Sequence, residues 1–225
     1  MNMYVFRIAK GYEGGEPANN CPIEMKDKEK SIRDKLINIE EDIIPYEYNN
    51  YIDYLHRELW HCGKLRQGWG IENLDLNIFK EDKTQWIENY ILGAKKYWGV
   101  EITDDYCHVA MGRYNILKHL IEAEKGDFIF IPKHSYDKHH DESSFTVCEL
   151  VGRYYFDLDE KYKDFGHVVI VKNIKSYKYS DSTLLASDFS GYRKALGKIK
   201  DDHQLYVEQR FKNFMKNNYS VKFDD

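Results

Sequence analysis

The stretch from Gly126 to Val171 constrains the fold more than any other part of the chain. Gly126 and Asp127 make a turn, and the apolar run FIFIP (128–132) follows and ends at a proline. A polar segment, KHSYDKHHDESS, comes next; then SFTVCELVGRYYFD (144–157) alternates apolar and polar residues, and HVVIVKNI (167–174) is β-branched. Alternation and β-branching mark strands, while clusters of Gly, Asp, Ser and Lys mark connections. Gly152 is the expected point of a bend in the second of these strands. Three strands in so short a stretch form the centre of a small β-barrel core.

The rest of the chain is arranged around that centre. MYVFRI (3–8) predicts a first strand, followed by the Gly-rich turn GYEGGEPANN. Between residues 22 and 60 charge is dense, and Ile32, Leu36, Ile39 and Ile43 recur at helical spacing until Pro45 interrupts them. Lys64 to Trp69 predicts a strand flanked by glycines. Residues 83–98 predict a helix with Trp86, Tyr90, Ala94 and Tyr97 on one face. A second helix is expected over about 110–124, with Ile116, Leu117, Leu120 and Ile121, stopped at EKGD. The tail from Leu184 to Phe214 predicts mostly helix and is locally basic, through Arg193, Lys194, Lys198, Lys200, Arg210, Lys212 and Lys216. Strands at both ends of a helical insertion predict an α+β fold, a mixed β-barrel with helices packed outside it.

Composition narrows the function classes. With 225 residues the chain suits one domain with a helical annex. A net charge of −5 argues against a nonspecific binder that relies on a broad positive field, but leaves room for a local basic groove. Cys21, Cys62, Cys107 and Cys148 form no CxxC pair, so neither a zinc knuckle nor a disulfide framework is expected. The N-terminus lacks the apolar core of a signal peptide, and no apolar run is long enough to span a bilayer. The expectation is a cytoplasmic protein with no membrane partner. The 19 Tyr residues suit half-buried surfaces and pockets.

The order of segments MYVFRIAKG, LRQGWGIENLDL, a helix, EKGDFIFIP, FTVCELVGRYYFD and a strand opening at His167 resembles the N-terminal recognition domain of Mrr-like, modification-dependent restriction proteins. Those domains are similar to the EVE and YTH members of the PUA-like superfamily. The resemblance is carried by Arg7 near the end of the first strand, by the pair Gly68–Trp69 with Leu74 and Asp75 downstream, and by the Gly126–Asp127 turn. Val151, Gly152, Tyr154 and Tyr155 carry it further, as does His167 at the start of the returning strand. It implies a PUA-like recognition domain over residues 1–190, with a helical insertion at about 22–60. A basic C-terminal helical segment, 184–225, packs on it. The chain departs from the family in that insertion and in the segment between Trp69 and the Gly–Asp turn.

A PUA-like reader receives one base on aromatic side chains and reads its edge with a few polar groups. The implied base pocket is Trp69, Tyr154, Tyr155 and Gln67, and the implied phosphate contacts are Arg66, Lys133, His134 and Arg153. The partner is nucleic acid, DNA favoured, with a modified base as the target in restriction or antiviral (phage) defence and a separate nuclease or effector subunit as a further partner. No catalytic residue, cofactor or metal is assigned. His134, His139 and His140, beside Asp137, Asp141 and Glu142, are of metal-binding type, but their spacing fits no zinc pattern. The alternatives are a metal-dependent nuclease using Asp157, Asp159, Glu160 and Lys161, and a non-catalytic protein-interaction subunit. Cys107–His108, adjacent in sequence, makes no catalytic dyad.

Overall fold

The computed structural model describes residues 1–8, 27–39, 51–158, 163–192, 194–199 and 205–223. Its strands are β1 (Met3–Phe6), β2 (Lys64–Gln67), β3 (Phe128–Pro132), β4 (Ser144–Leu150), β5 (Tyr155–Phe156), β6 (His167–Lys178) and β7 (Leu196–Lys198). They form one sheet in the order β2-β6-β4-β3-β1-β7, with β5 also on β6. Only β1 and β3 run parallel; every other pair is antiparallel. Among the described residues the edge strands β2 and β7 do not pair with each other, so the sheet is a curled half-barrel rather than a closed one.

Alternation along the strands builds two cores. Tyr4, Phe6, Ile129, Ile131, Cys148 and Leu150 face one side, and Met3, Val5, Phe128, Phe130, Phe145 and Val147 face the other. The first side is covered by α1 (Asp27–Leu36), α2 (Tyr51–Cys62), α3 (Lys83–Trp98) and α4 (Asp104–Glu122), through Leu36, Leu59, Trp86, Tyr90 and Leu117 among others. The second is covered by α5 (Leu205–Tyr219), through Phe211, Phe214 and Met215, and by Leu184 and Phe189.

Strand β6 is longer than the expected 167–174, and the reason is one extra residue. Val147 and Glu149 are two apart on β4, yet they pair with Lys175 and Lys172, three apart on β6. Asn173 takes up the extra position with a left-handed φ of 50°, and its amide donates to Glu149 Oε2 at 2.8 Å. The insertion exchanges the two faces. Val169 and Val171 point into the first core, whereas Tyr177, also odd-numbered, points into the second. A periodicity that breaks in mid-strand reads as the end of a strand.

Other boundaries moved for similar local reasons. The helix expected from about 110 begins at Asp104, where Thr103 Oγ1 accepts the Tyr106 N–H at 3.2 Å and two aspartates sit in the first turn. Asp82 caps α3 and Gly99 closes it at a φ of 63°. The strand expected over 144–157 divides around Gly152 into β4 and β5. The tail expected to be mostly helical from Leu184 is helical only from Leu205. Before that, Ala186–Phe189 is a short 3₁₀ turn, and β7 pairs with β1. Arg7 fastens this segment by donating to the carbonyls of Tyr192 and, at 3.0 Å, Phe189. Asp127 is buried because its carboxylate accepts from the backbone N–H groups of Asn2 and Glu124, at 2.5 and 3.0 Å. The Gly-rich turn, Cys21, Ile43, Pro45 and Arg193 and Lys200 of the basic tail lie outside the described residues. No helix among the described residues is long and apolar enough to cross a membrane.

The bulge at Asn173 carries a stability prediction. A β-branched residue resists a left-handed φ, at a strain on the order of 1–3 kcal/mol. Asn173→Val should lower the unfolding free energy read from urea denaturation by that amount, whereas Asn173→Gly should stay close to the parent. Equal stability of the two variants would show that the bulge tolerates any backbone.

Candidate nucleic-acid interface

The turn after β2 holds a residue in an unusual conformation. Trp69 has a φ of 69°, a region bulky L-residues rarely enter. Both its backbone groups are held. Its N–H donates to Asp164 Oδ1 at 2.9 Å, and its carbonyl accepts from His167 Nε2 at 3.3 Å. Gly70 is required beside it, because a Cβ there would come within 2.7 Å of the Gly166 nitrogen. Its N–H bonds the Asp164 carbonyl at 2.8 Å.

A carbonyl can only accept, so the proton of neutral His167 sits on Nε2 and Nδ1 is the acceptor. Tyr154 Oη therefore donates to Nδ1 at 2.9 Å and itself receives the Leu76 N–H at 3.2 Å. This chain of bonds runs from the 74–76 segment through Tyr154 and His167 to the back of Trp69. Burial pushes the His167 pKa down to about 3, with the Trp69 carbonyl acting weakly in the other direction.

Arg113 of α4 lies over three rings: Trp69 at 5.3 Å, Tyr90 at 5.4 Å and Tyr106 at 5.6 Å. Its Nη1 donates to both tyrosine hydroxyls, with Tyr106 at 3.2 Å. Desolvation pushes the Asp164 carboxyl up to about 6, against the opposing pull of the Trp69 N–H and Arg113. Burial and then the Asp164 charge raise the Tyr106 hydroxyl. Trp69, Tyr106, Arg113 and Asp164 are all partly exposed, so an aromatic face, a cation and a carboxyl that changes charge near neutrality share one patch.

The expected site residues fall into three groups. Gln67 and Trp69 stand together at the end of β2; Gln67 is buried, and its Oε1 has no hydrogen-bond partner among the described residues. Tyr154 is buried and Tyr155 pairs with Val168 in β5–β6, so Tyr154 supports Trp69 from beneath rather than offering a stacking face. The phosphate set disperses. Arg66 is 3% exposed at its side chain and bonds Glu58 at 3.0 Å, Asp157 Oδ2 at 2.8 Å and the carbonyls of Asp157 and Phe165. It is the hub of an internal ion-pair network, not a rim cation. His134 is likewise buried, and Lys133 pairs with Glu142 at 2.5 Å. Of the four, Arg153 alone is exposed.

Arg113, Tyr106 and Asp164 went unnoticed in the sequence. They come from two residues seven apart on α4 and one in the 3₁₀ turn Lys163–Phe165, and nothing local marks them. Of the nuclease alternative's residues, Asp157 is otherwise engaged, with Arg66 at 2.8 Å and Lys64 at 3.6 Å. Asp159, Glu160 and Lys161 lie outside the described residues. Cys107 is buried on α4 and Cys148 on β4.

A scan against protein-family models found no match to this chain, and a search of curated proteins found none.

The buried histidines set a pH dependence. Unfolded, His134, His139 and His167 titrate near 6.5; folded, burial lowers them to about 3, 4 and 3. Between these values the unfolded chain binds more protons, so their contribution is full above pH 6.5 and is lost as the pH falls. Asp164, raised from 3.8 to about 6, acts oppositely over its own window, gaining stability as the pH falls through 6. The histidines win by number. Unfolding near pH 5 should take up about two protons net, read as the slope of unfolding free energy against pH. A flat profile between pH 6.5 and 5 would contradict the assignment.

Proposed function

We propose that this chain is a non-catalytic reader of nucleic acid, DNA favoured, that receives one base against Trp69. The observation that carries the reading is the partly exposed Trp69, held in a left-handed turn by Asp164 and His167, two residues after a Gln67 whose buried amide oxygen has no hydrogen-bond partner among the described residues. A rigid indole is a stacking surface for any base. An unsatisfied amide can recognise a base edge, and leaving it unpaired penalises a ligand that lacks the matching donor. The curled sheet with helices outside it is compatible with a PUA-like fold, and the resemblance to Mrr-like recognition domains favours a modified base as the target. Restriction or phage defence, together with a separate effector subunit, is the setting that fits such a reader.

The reading assigns Trp69 to stacking, Gln67 and Asp164 to the base edge, Tyr106 and Arg113 to the flank, and Arg153 to phosphate. Fluorescence anisotropy with plain and base-modified duplexes, and with single strands, at two salt concentrations tests it. Binding should weaken with salt. Trp69→Ala should cost on the order of 1–3 kcal/mol of binding, with the thermal transition of the folded protein retained. Failure to bind every duplex and single strand would overturn the proposal.

A further inference from the structure

A second polar cluster lies where α2 meets the β3–β4 connection. The rings of His56, on α2, and of His134 and His139, on the connection, stand close together. Centroids are 5.2 Å apart for His56–His134, 6.0 Å for His134–His139 and 6.4 Å for His56–His139. Trp60, one turn beyond His56, stacks on His134 at 6.0 Å with the rings 5° from parallel.

The surrounding hydrogen bonds decide which nitrogens carry protons. His56 Nε2 lies 2.9 Å from the Tyr136 carbonyl, which can only accept, so in the neutral ring Nδ1 is bare. Thr146 Oγ1 donates its one proton to the His134 carbonyl at 3.1 Å, so it accepts from His134 Nδ1 at 2.9 Å. Ser176 Oγ receives the Tyr136 N–H at 2.9 Å and donates to Thr146 Oγ1 at 3.2 Å, which completes the network. His134 Nε2 is then bare as well. With both rings neutral, these two nitrogens face one another as lone pairs at 3.3 Å. His139 Nε2 is buried and has no hydrogen-bond partner among the described residues.

Two lone pairs aimed at each other repel unless something electrophilic lies between them. Nitrogens bound to one tetrahedral zinc at about 2.0–2.1 Å are separated by about 3.3 Å, which is the separation seen here. We propose that His56 Nδ1, His134 Nε2 and His139 Nε2 form a binding site for a divalent transition metal of the zinc class. Among the described residues no three His, Cys, Asp or Glu side chains already converge on one cation position. The His56–His134 pair is therefore the preformed part, and His139 completes the site by a side-chain rotation. Thr146 and the Tyr136 carbonyl hold the first two rings from behind, as outer-shell groups do for metal-bound imidazoles. The charges of Asp141 and Asp53 act on His134 and His139 in the sense that favours a cation. A bound metal would clip α2 to the β3–β4 connection.

The test uses the untagged full chain, stripped with chelator, dialysed and titrated with Co²⁺. One equivalent should give the visible d–d absorption of a low-coordinate imidazole complex, and Zn²⁺ should abolish it. His56→Ala and His139→Gln should each weaken Co²⁺ binding by more than about 100-fold with far-UV circular dichroism retained. His139 has no bond at Nε2 to lose among the described residues. His140→Ala, at an exposed ring paired with Glu142, should leave the spectrum unchanged. If a proton alone occupies the gap, through a His–His hydrogen bond, no such spectrum develops and the proposal fails. It fails equally if binding survives both His56→Ala and His139→Gln.

Discussion

Strand β6 must serve two neighbourhoods, and the extra residue at Asn173 is what permits it. Its first half pairs with β2 on one side and β5 on the other, and its second half pairs with β4. Without the bulge the parity of β6 would carry Tyr177 into the first core and away from Phe214, or turn Val169 and Val171 out of that core. Because β2 hangs on the first half of β6, the position of the Gly68–Trp69–Gly70 turn follows from that one backbone irregularity. So does the place of His167, which opens β6 directly behind Trp69.

Burial gives the polar residues around that turn their character. His167 is neutral because burial disfavours its charged form, and the Trp69 carbonyl at Nε2 fixes its tautomer. The Asp164 carboxyl is raised because desolvation outweighs the support that the Trp69 N–H and the Arg113 guanidinium give its ionised form. The cluster at His56, His134 and His139 obeys the same rule at the far end of β4, where Thr146 and Ser176 set the proton positions. In both places a fixed hydrogen-bond network aims unprotonated or polar atoms in one direction, which is a prerequisite for recognising a ligand.

Much of the fold was legible. The strands from Met3, Lys64, Phe128, Ser144 and His167 and the helices around Trp86 and Leu117 announce themselves through period and turn chemistry. The second half of β6 and the short β7 did not, since a parity break and a three-residue strand leave too little pattern to read. Of the expected site residues, Gln67 and Trp69 are the two that adjacency in sequence keeps together, at the end of β2. Arg66 and His134 were misleading, because a charged or imidazole side chain beside a strand reads as exposed until its partners, Glu58, Asp157, Thr146 and His56, are brought in from elsewhere.

The sequence by itself determined the local chemistry of this protein: which segments extend, which coil, and where Thr103 and Asp82 start helices. These follow from interactions spanning a few residues. Tertiary structure alone decided which polar groups meet. Arg113 over Trp69 and His56 against His134 join residues 44 and 78 positions apart. The physical reason is that charge, tautomer and hydrogen-bond capacity depend on the enclosing environment, which is assembled only when distant segments pack.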